Sequence, residues 1–283
     1  MEITKNIILQ GEHQKPILTD VFYTKTNKPK TIVIFAHGYK GYKDWGSWNL
    51  VAEEFAKNNL FFIKFNFSYN GGTIEQPIDF PDLEAFGNNN YTIELDDLTS
   101  VIDWILNEDS LKNEIDRSNI VLIGHSRGGG IVTIKASEDN RVSKVITWAA
   151  VSNFGNRTSS IGDLDQWKKD GVKYVLNGRT KQQMPHYYQF YEDYKANATR
   201  LNIELAARKM RIPHLIIHGD NDTSISFEEA KNLHSWNSES KLAFIQGANH
   251  TFGSMHPWSK SLLPTDLQKV VSTSIVFVNK NNS

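Results

Sequence analysis

Six short runs of consecutive apolar and β-branched residues recur along the chain, and segments of helical period lie between them. Such runs are typical of parallel strands buried on both faces, because no side chain of the strand meets water. The runs are residues 31–36, 60–67, 120–124, 144–148, 214–217 and 241–245. The helical segments include residues 48–57, 92–106, 227–236 and 267–278. This alternation predicts a mostly parallel sheet with helices on both faces.

Two further strands are predicted near the N-terminus, at residues 3–9 and 17–23, joined as a hairpin across residues 11–16. They would add an antiparallel edge and bring the sheet to about eight strands. An α/β fold of 283 residues often forms one domain. We therefore predict a single domain spanning residues 1–283.

The alternation stops between about residues 152 and 211, where no buried-strand run occurs. We predict a helical insertion here, placed as a lid over the C-terminal edge of the sheet. The alternative is a helical excursion packed at the side of the sheet. The insertion's aromatic residues either line a pocket for an aromatic acyl group or pack the insertion on the sheet, which is the simpler interpretation for most of them: Trp167, Tyr174, Tyr187, Tyr188, Phe190, Tyr191 and Tyr194.

Composition excludes several functional classes. The formal net charge is -1, whereas a nucleic-acid-binding protein usually carries a strong positive excess. The chain has no cysteine, so a thiolate nucleophile, a disulfide and a cysteine-ligated metal are excluded. No stretch is long and apolar enough to span a membrane. The first ten residues lack the features of a signal peptide, so we expect a cytoplasmic protein.

Residues 124–128 read Gly-His-Ser-Arg-Gly, which fits the pattern G-x-S-x-G. The pattern alone is weak, but here it follows an apolar strand and precedes a segment that reads as a helix. A sharp strand–turn–helix unit presents the serine hydroxyl at a helix N-terminus, whose dipole favours developing negative charge. The sequence therefore predicts that Ser126 is a nucleophile.

A serine hydroxyl needs a base to attack at neutral pH. His250 lies in the loop after the strand at residues 241–245, where catalytic groups of open α/β sheets are found. His256 is the rival, further from the strand end and followed by a proline. His125 adjoins the serine, so its side chain should point away from the hydroxyl. We prefer His250.

The acid that orients the histidine should follow another strand. The strand at residues 214–217 leads to two candidates, Asp220 and Asp222. Asp222 lies deeper in the loop and could reach a histidine on the neighbouring loop, whereas Asp220 could equally stabilise the turn. We prefer Asp222, which would hold His250 in the tautomer that accepts the serine proton.

A tetrahedral intermediate needs N–H donors aimed at its oxyanion. One predicted donor is the backbone N–H of Arg127, directly after the nucleophile. The other is the backbone N–H of Tyr39, in the glycine-bearing loop after the strand at residues 31–36. Lys40, Lys43 and Arg127 either favour anionic substrates at the mouth of the site or form a solvated rim, which is the simpler interpretation.

With these residues in place, the sequence resembles the α/β-hydrolase superfamily over nearly the whole chain. The segments HGYKGYKDW, FNFSYNG and GANHTFGSMHPW are similar to bacterial esterases related to the dienelactone-hydrolase and cinnamoyl-esterase groups. Ser126, Asp222 and His250 follow the order of the triad in this fold. The resemblance implies an α/β-hydrolase fold, a carboxylic-ester substrate, no metal and no organic cofactor. Dienelactone hydrolases use a cysteine, which this chain lacks.

The expected activity is therefore that of a serine carboxylesterase acting on a small-molecule ester, with no nucleic-acid or membrane partner. A peptidase or acyl-peptide hydrolase of the same fold would need an anchor for a peptide N-terminus, for which Glu192 and Asp193 are available. A thioesterase is the other enzymatic alternative. A binding protein that kept the fold and lost the activity is the non-enzymatic alternative. The loop at residues 70–90, the insertion and the loop after His250 are expected to shape the substrate pocket.

Overall fold

The fold is built on the predicted alternation of strands and helices, as seen in a computed structural model that describes residues 1–280. The strands are β1 (Glu2–Leu9), β2 (Ile17–Tyr23), β3 (Lys30–Ala36), β4 (Phe61–Phe65), β5 (Ile115–His125), β6 (Val142–Trp148), β7 (Val172–Leu176), β8 (Gln183–Tyr187), β9 (His214–Gly219) and β10 (Ser240–Ile245). The helices are α1 (Trp48–Lys57), α2 (Leu83–Asn88), α3 (Tyr91–Asn107), α4 (Arg127–Glu138), α5 (Phe154–Ser159), α6 (Leu164–Asp170), α7 (Gln189–Ala196), α8 (Ile203–Lys209), α9 (Phe227–Trp236) and α10 (Thr265–Asn279).

Eight strands form one sheet in the order β1-β2-β4-β3-β5-β6-β9-β10. From β4 to β10 all neighbours pair in parallel, whereas β2 pairs antiparallel with both β1 and β4. The predicted eight-stranded sheet with an antiparallel N-terminal edge is therefore confirmed. The long predicted helices are also confirmed, and α1 and α9 have the predicted bounds.

The sheet separates two apolar cores, because successive side chains of a strand point to opposite faces. In β3, Ile32 and Ile34 face the core under α3, α4 and α9, whereas Val33 and Phe35 face the core under α1 and α10. All four side chains are fully buried, which explains the unbroken apolar runs of the sequence. Because β3, β4, β5, β6, β9 and β10 pair in parallel, their carboxyl ends lie along one edge of the sheet.

Residues 152–211, the predicted insertion, contain four helices, α5 to α8, and also a two-stranded antiparallel hairpin, β7–β8. The hairpin escaped prediction because it lies outside the main sheet and is only partly buried, so it has no apolar run. Trp167 anchors it, since this fully buried side chain donates from Nε1 to the His186 carbonyl (2.8 Å). The hairpin also packs on α2, where Tyr187 Oη donates to Glu84.

One buried acid of α3 has no positively charged partner in the described chain. Asp97 is fully buried and accepts hydrogen bonds from the backbone N–H (2.7 Å) and the hydroxyl (2.8 Å) of Ser68. Burial raises the pKa of Asp97 from 3.8 to about 8. The folded state therefore holds this proton more tightly than the unfolded state.

We expect the free energy of unfolding to depend on pH through Asp97. The stability that this proton contributes is fully present below pH 3.8 and is lost as the pH rises through about 8. An Asp97→Asn variant keeps the size of the side chain without the titration. Its stability relative to wild type should rise by about 1.4 kcal/mol or more between pH 5 and pH 8, measured by urea unfolding. A difference that is constant over this range would contradict the assignment.

Candidate active site

Ser126 lies in the sharp turn between β5 and α4 with a left-handed backbone (φ 57°, ψ -119°). A residue with a side chain rarely adopts this conformation, so the turn holds Ser126 in a strained position. The turn closes only because Gly124 and Gly128 lack side chains. A Cβ on Gly124 would overlap the Gly128 carbonyl, and one on Gly128 would overlap that of Ala36. The strand–turn–helix unit that the sequence predicted around Ser126 is therefore present.

His250 and Asp222 meet Ser126 at the carboxyl edge of the sheet. His250 follows β10, and its Nε2 lies 3.1 Å from Ser126 Oγ. Its other ring nitrogen, Nδ1, lies 2.7 Å from Oδ2 of Asp222, in the loop after β9. The three side chains, which are far apart in the sequence, thus form one continuous hydrogen-bonded array.

The Asp222 carboxylate is fixed by several donors. Oδ1 accepts the backbone N–H groups of Ser224 (2.8 Å) and Ile225 (2.9 Å), while Oδ2 accepts from His250 and lies 3.2 Å from Nε2 of His218. Burial alone would raise the pKa of Asp222, but the hydrogen bonds from His218 and His250 outweigh it and hold this pKa well below its usual range. Asp222 therefore stays ionised beside His250 at neutral pH.

His218 was not recognised as part of the site from the sequence. It is the fifth residue of β9, and its fully buried ring supports both the Asp222 carboxylate and the Ile225 carbonyl, which lies 3.0 Å from Nε2. Its position near the end of β9, four residues before Asp222, is the sequence signal that could have identified it.

His125 supports His250 from behind instead of contacting the serine hydroxyl. Its Nε2 donates to the His250 carbonyl (2.9 Å), and the two ring centroids lie 4.8 Å apart. Burial, reinforced by the His250 ring, lowers the pKa of His125 to about 3, so this ring is neutral. Its predicted orientation away from the Ser126 hydroxyl agrees with these contacts.

The rival candidates lie in other environments. His256 accepts the Gly46 backbone N–H at Nδ1 (2.9 Å) and packs against Tyr42. Asp220 accepts the Gly247 backbone N–H (2.5 Å), which is the turn-stabilising role considered for it. Neither side chain hydrogen-bonds to a member of the Ser126 array.

The loop after β3 lies directly against the nucleophile. A Cβ on Gly38 would come within 2.9 Å of Ser126 Cβ, so this loop can approach only with glycine there. Within residues 1–280, the backbone N–H groups of Tyr39 and Arg127 donate to no carbonyl or side chain. Two unused donors beside a serine hydroxyl are suited to an oxyanion.

Buried charges anchor the same loop. Lys43 Nζ lies 2.9 Å from Asp20 and 2.5 Å from Asp44, and Lys64 Nζ lies 2.6 Å from Asp20 and 2.8 Å from Asp44. The backbone N–H of Lys43 donates to Asn66 Oδ1 (2.6 Å). This network holds the loop that carries Tyr39 in one position.

Two cavities meet at Ser126 and His250. The smaller, of about 150 Å³, extends toward Trp45 and Trp48. The larger, of about 370 Å³, is lined in part by the insertion, through Phe154, Arg157, Ser160, Ile161, Val175 and His186. The seven aromatic residues considered for an acyl pocket do not line it. Several of them pack instead, as Phe190 does against Tyr91 (4.8 Å between centroids), whereas Tyr174 is 59% exposed.

The structure also bears on metals and membranes. Among the described residues, no group of three or more His, Asp or Glu side chains is placed to hold a metal ion. Over residues 1–280, no helix has the length and apolar character that crossing a membrane requires.

Solved structures with this fold come from several organisms. Est1E from Butyrivibrio proteoclasticus superposes with a TM-score of 0.71 at 16% identity, covering 97% of both chains. The esterase domain of a Rhodothermus marinus protein gives 0.64 at 18% identity, covering 98% of both chains. A putative hydrolase from Agrobacterium vitis S4 gives 0.73 at 16% identity, covering 99% of this chain and 100% of the other. These likenesses show a shared fold.

Sequence comparison gives a family but no individual relative. No curated protein sequence matches the chain. A family model described as the alpha/beta hydrolase fold matches residues 87–254, more than half of the chain, including Ser126, Asp222 and His250. The chain therefore belongs to the α/β-hydrolase fold family.

Proposed function

We propose that the protein hydrolyses carboxylic esters, with Ser126 as nucleophile, His250 as general base and Asp222 as the acid that orients the histidine. The observation that carries this proposal is the continuous array Ser126 Oγ–His250–Asp222, with contacts of 3.1 and 2.7 Å. The same spacing is expected of a nucleophile, its base and the base's orienting group.

The reaction follows from the array. His250 Nε2 accepts the hydroxyl proton as Ser126 Oγ bonds to the ester carbonyl carbon. The ionised Asp222 stabilises the imidazolium that results. The imidazolium then gives its proton to the departing alcohol oxygen as the ester C–O bond breaks, leaving an acyl-serine. Water, deprotonated by His250, attacks the acyl carbon, and Ser126 regains its proton as the acid is released.

The unused amides of Tyr39 and Arg127 would stabilise the negative charge of both tetrahedral intermediates. Loss of one such donor typically lowers kcat by about 10²–10³. Because both donors are backbone groups held by the β3 loop and the start of α4, they need no reorganisation during the reaction.

A peptidase that recognises a free N-terminus is the less favoured activity, because such an anchor needs a negative charge near the serine. The larger cavity is lined by two arginines, and no acidic side chain of the described residues lines it. Glu192 and Asp193, the anchors available in the sequence, lie on α7 and line neither cavity at Ser126.

Hydrolysis of a 4-nitrophenyl ester series tests the proposal. The series runs from acetate to octanoate and includes an aromatic acyl ester, since the structurally similar Est1E has been solved with ferulic acid bound. We expect turnover that varies with acyl length as the cavity of about 370 Å³ fills. A matched aminoacyl 4-nitroanilide and an acyl thioester test the peptidase and thioesterase alternatives. Faster cleavage of either than of every ester would overturn the ester preference.

A further inference from the structure

The guanidinium of Arg127 faces the larger cavity at Ser126 with most of its donors unused. The side chain is 12% exposed and makes one hydrogen bond among the described residues, from Nη1 to Glu94 Oε1 (3.2 Å). A guanidinium carries five N–H donors in a planar fork that matches a carboxylate. The other four donors have no partner among the described residues, and Arg127 lines the same cavity as the proposed nucleophile.

Aromatic rings hold this guanidinium in place without using its donors. Arg127 Cζ lies over the rings of Tyr39, Tyr91 and Phe190, at 4.4, 5.3 and 5.5 Å from their centroids. Cation–π contacts of this kind stabilise a buried cation. The fork is consequently ordered before any ligand arrives, which lowers the entropic cost of binding.

The cavity is lined by positively charged side chains, and the carboxylates that pair with them do not line it. Arg127 and Arg157 line it, whereas the carboxylates that pair with them, Glu94 and Glu229, do not. The Nε of Arg157 is buried and has no hydrogen-bond partner in the described chain. An anion in this cavity would meet guanidinium groups, with the balancing carboxylates behind them.

Apolar side chains and neutral polar groups make up the rest of the lining. Tyr39 Oη and His186 Nε2 lie 3.0 Å apart, and His186 Nδ1 is buried without a partner among the described residues. Burial, followed by the charge of Arg127, lowers the pKa of His186 to about 3, so its ring is neutral. The ring of His186 therefore adds no charge to the cavity.

We propose that the preferred substrates are esters that carry a carboxylate in addition to the scissile ester, and that Arg127 binds this carboxylate in the larger cavity. The proposal rests on the proposed esterase function and names the substrate class for the same site. Arg157 adds positive potential to the cavity, and Glu94 orients the Arg127 guanidinium. The backbone N–H of Arg127 serves the oxyanion, so one residue contributes to both catalysis and recognition.

The test compares two pairs of esters, and in each pair one member carries a carboxylate that the other, of matched chain length, lacks. The first pair is 4-nitrophenyl hydrogen glutarate and 4-nitrophenyl pentanoate, which differ on the acyl side. The second pair is 4-carboxyphenyl pentanoate and its methyl ester, which differ on the alcohol side. We expect kcat/KM of wild type to favour the anionic member of one pair by about 10- to 100-fold, and that pair identifies the side that occupies the cavity.

Three variants assign the preference to the arginine. In Arg127→Met the anionic preference should disappear, and in Arg127→Lys it should fall about tenfold, because lysine keeps the charge and loses the fork. Glu94→Gln removes the opposing charge behind the guanidinium and should increase the preference. Arg208→Met is the matched control, since this exposed arginine of α8 pairs with Glu204 and lines neither cavity.

Each outcome decides between the two proposals. Wild-type turnover without an anionic preference in either pair would overturn the carboxylate proposal and leave the esterase function standing. So would a preference that persists in both Arg127 variants. If Arg127→Met is inactive, the opposite shifts expected in Arg127→Lys and Glu94→Gln decide the question. No turnover of all four esters by folded wild type would overturn the esterase function, and the carboxylate proposal with it.

Discussion

We expect Ser126→Ala to lower kcat for every hydrolysed ester by about 10⁶-fold, the scale of the loss when a triad serine is removed. The variant keeps the strained turn and the backbone donors but has no hydroxyl to bond to the acyl carbon. Its fold should be unchanged, because the Ser126 side chain makes no capping hydrogen bond to α4. The measurement is steady-state hydrolysis of the best 4-nitrophenyl ester, with circular dichroism and Tm of both proteins.

The residual activity of Ser126→Ala decides whether Ser126 is the nucleophile. The Ser126→Ala rate should not exceed the small residual catalysis that binding and an oxyanion hole provide. A variant that retains more than about a tenth of wild-type kcat would show that another group attacks the ester, and the role of Ser126 would be wrong.

We expect Asp222→Asn to lower kcat by about 10⁴-fold. The backbone N–H groups of Ser224 and Ile225 donate to Oδ1 of Asp222, so an asparagine would place its oxygen there. Its amide nitrogen would then take the Oδ2 position, 2.7 Å from Nδ1 of His250. Since an NH₂ group donates, the histidine would be protonated on Nε2 and unable to accept the serine proton.

Asp220→Asn provides the matched control, two residues away in the same loop. Asparagine can still accept the Gly247 N–H, so activity should stay within a few-fold of wild type and the stability change should be small. Kinetics of the two variants side by side separate the candidates. A large loss in Asp220→Asn together with near-full activity in Asp222→Asn would reverse the assignment of the acid.

The sheet could be predicted from the sequence because a strand that is buried on both faces consists of consecutive apolar residues. In β3, every residue from Ile32 to Ala36 is buried, and the apolar run reports that fact. Strand ends then place the loops, and the loops after β5, β9 and β10 bring Ser126, Asp222 and His250 to one edge. Their contact in the structure agrees with that reasoning, while their catalytic roles stay predictions for the experiments above.

The remaining parts of the site depend on packing that no local pattern records. Hairpin β7–β8 leaves Tyr174 and Leu176 more than half exposed, so it lacks both an apolar run and a clear alternation. His186 reaches Tyr39 across 147 residues, and Arg127 reaches Glu94 across 33. These contacts depend on where the insertion sits over α3, which the sequence left open between a lid and a lateral excursion.

Covalent labelling reports directly on whether Ser126 is an activated nucleophile. Wild type, Ser126→Ala and Asp222→Asn would be treated with a fluorophosphonate and examined by intact and peptide mass spectrometry. We expect one adduct per chain on Ser126 of wild type, no adduct in Ser126→Ala and much slower labelling of Asp222→Asn. An unmodified wild-type protein, or an adduct that persists in Ser126→Ala, would show that Ser126 is not the nucleophile.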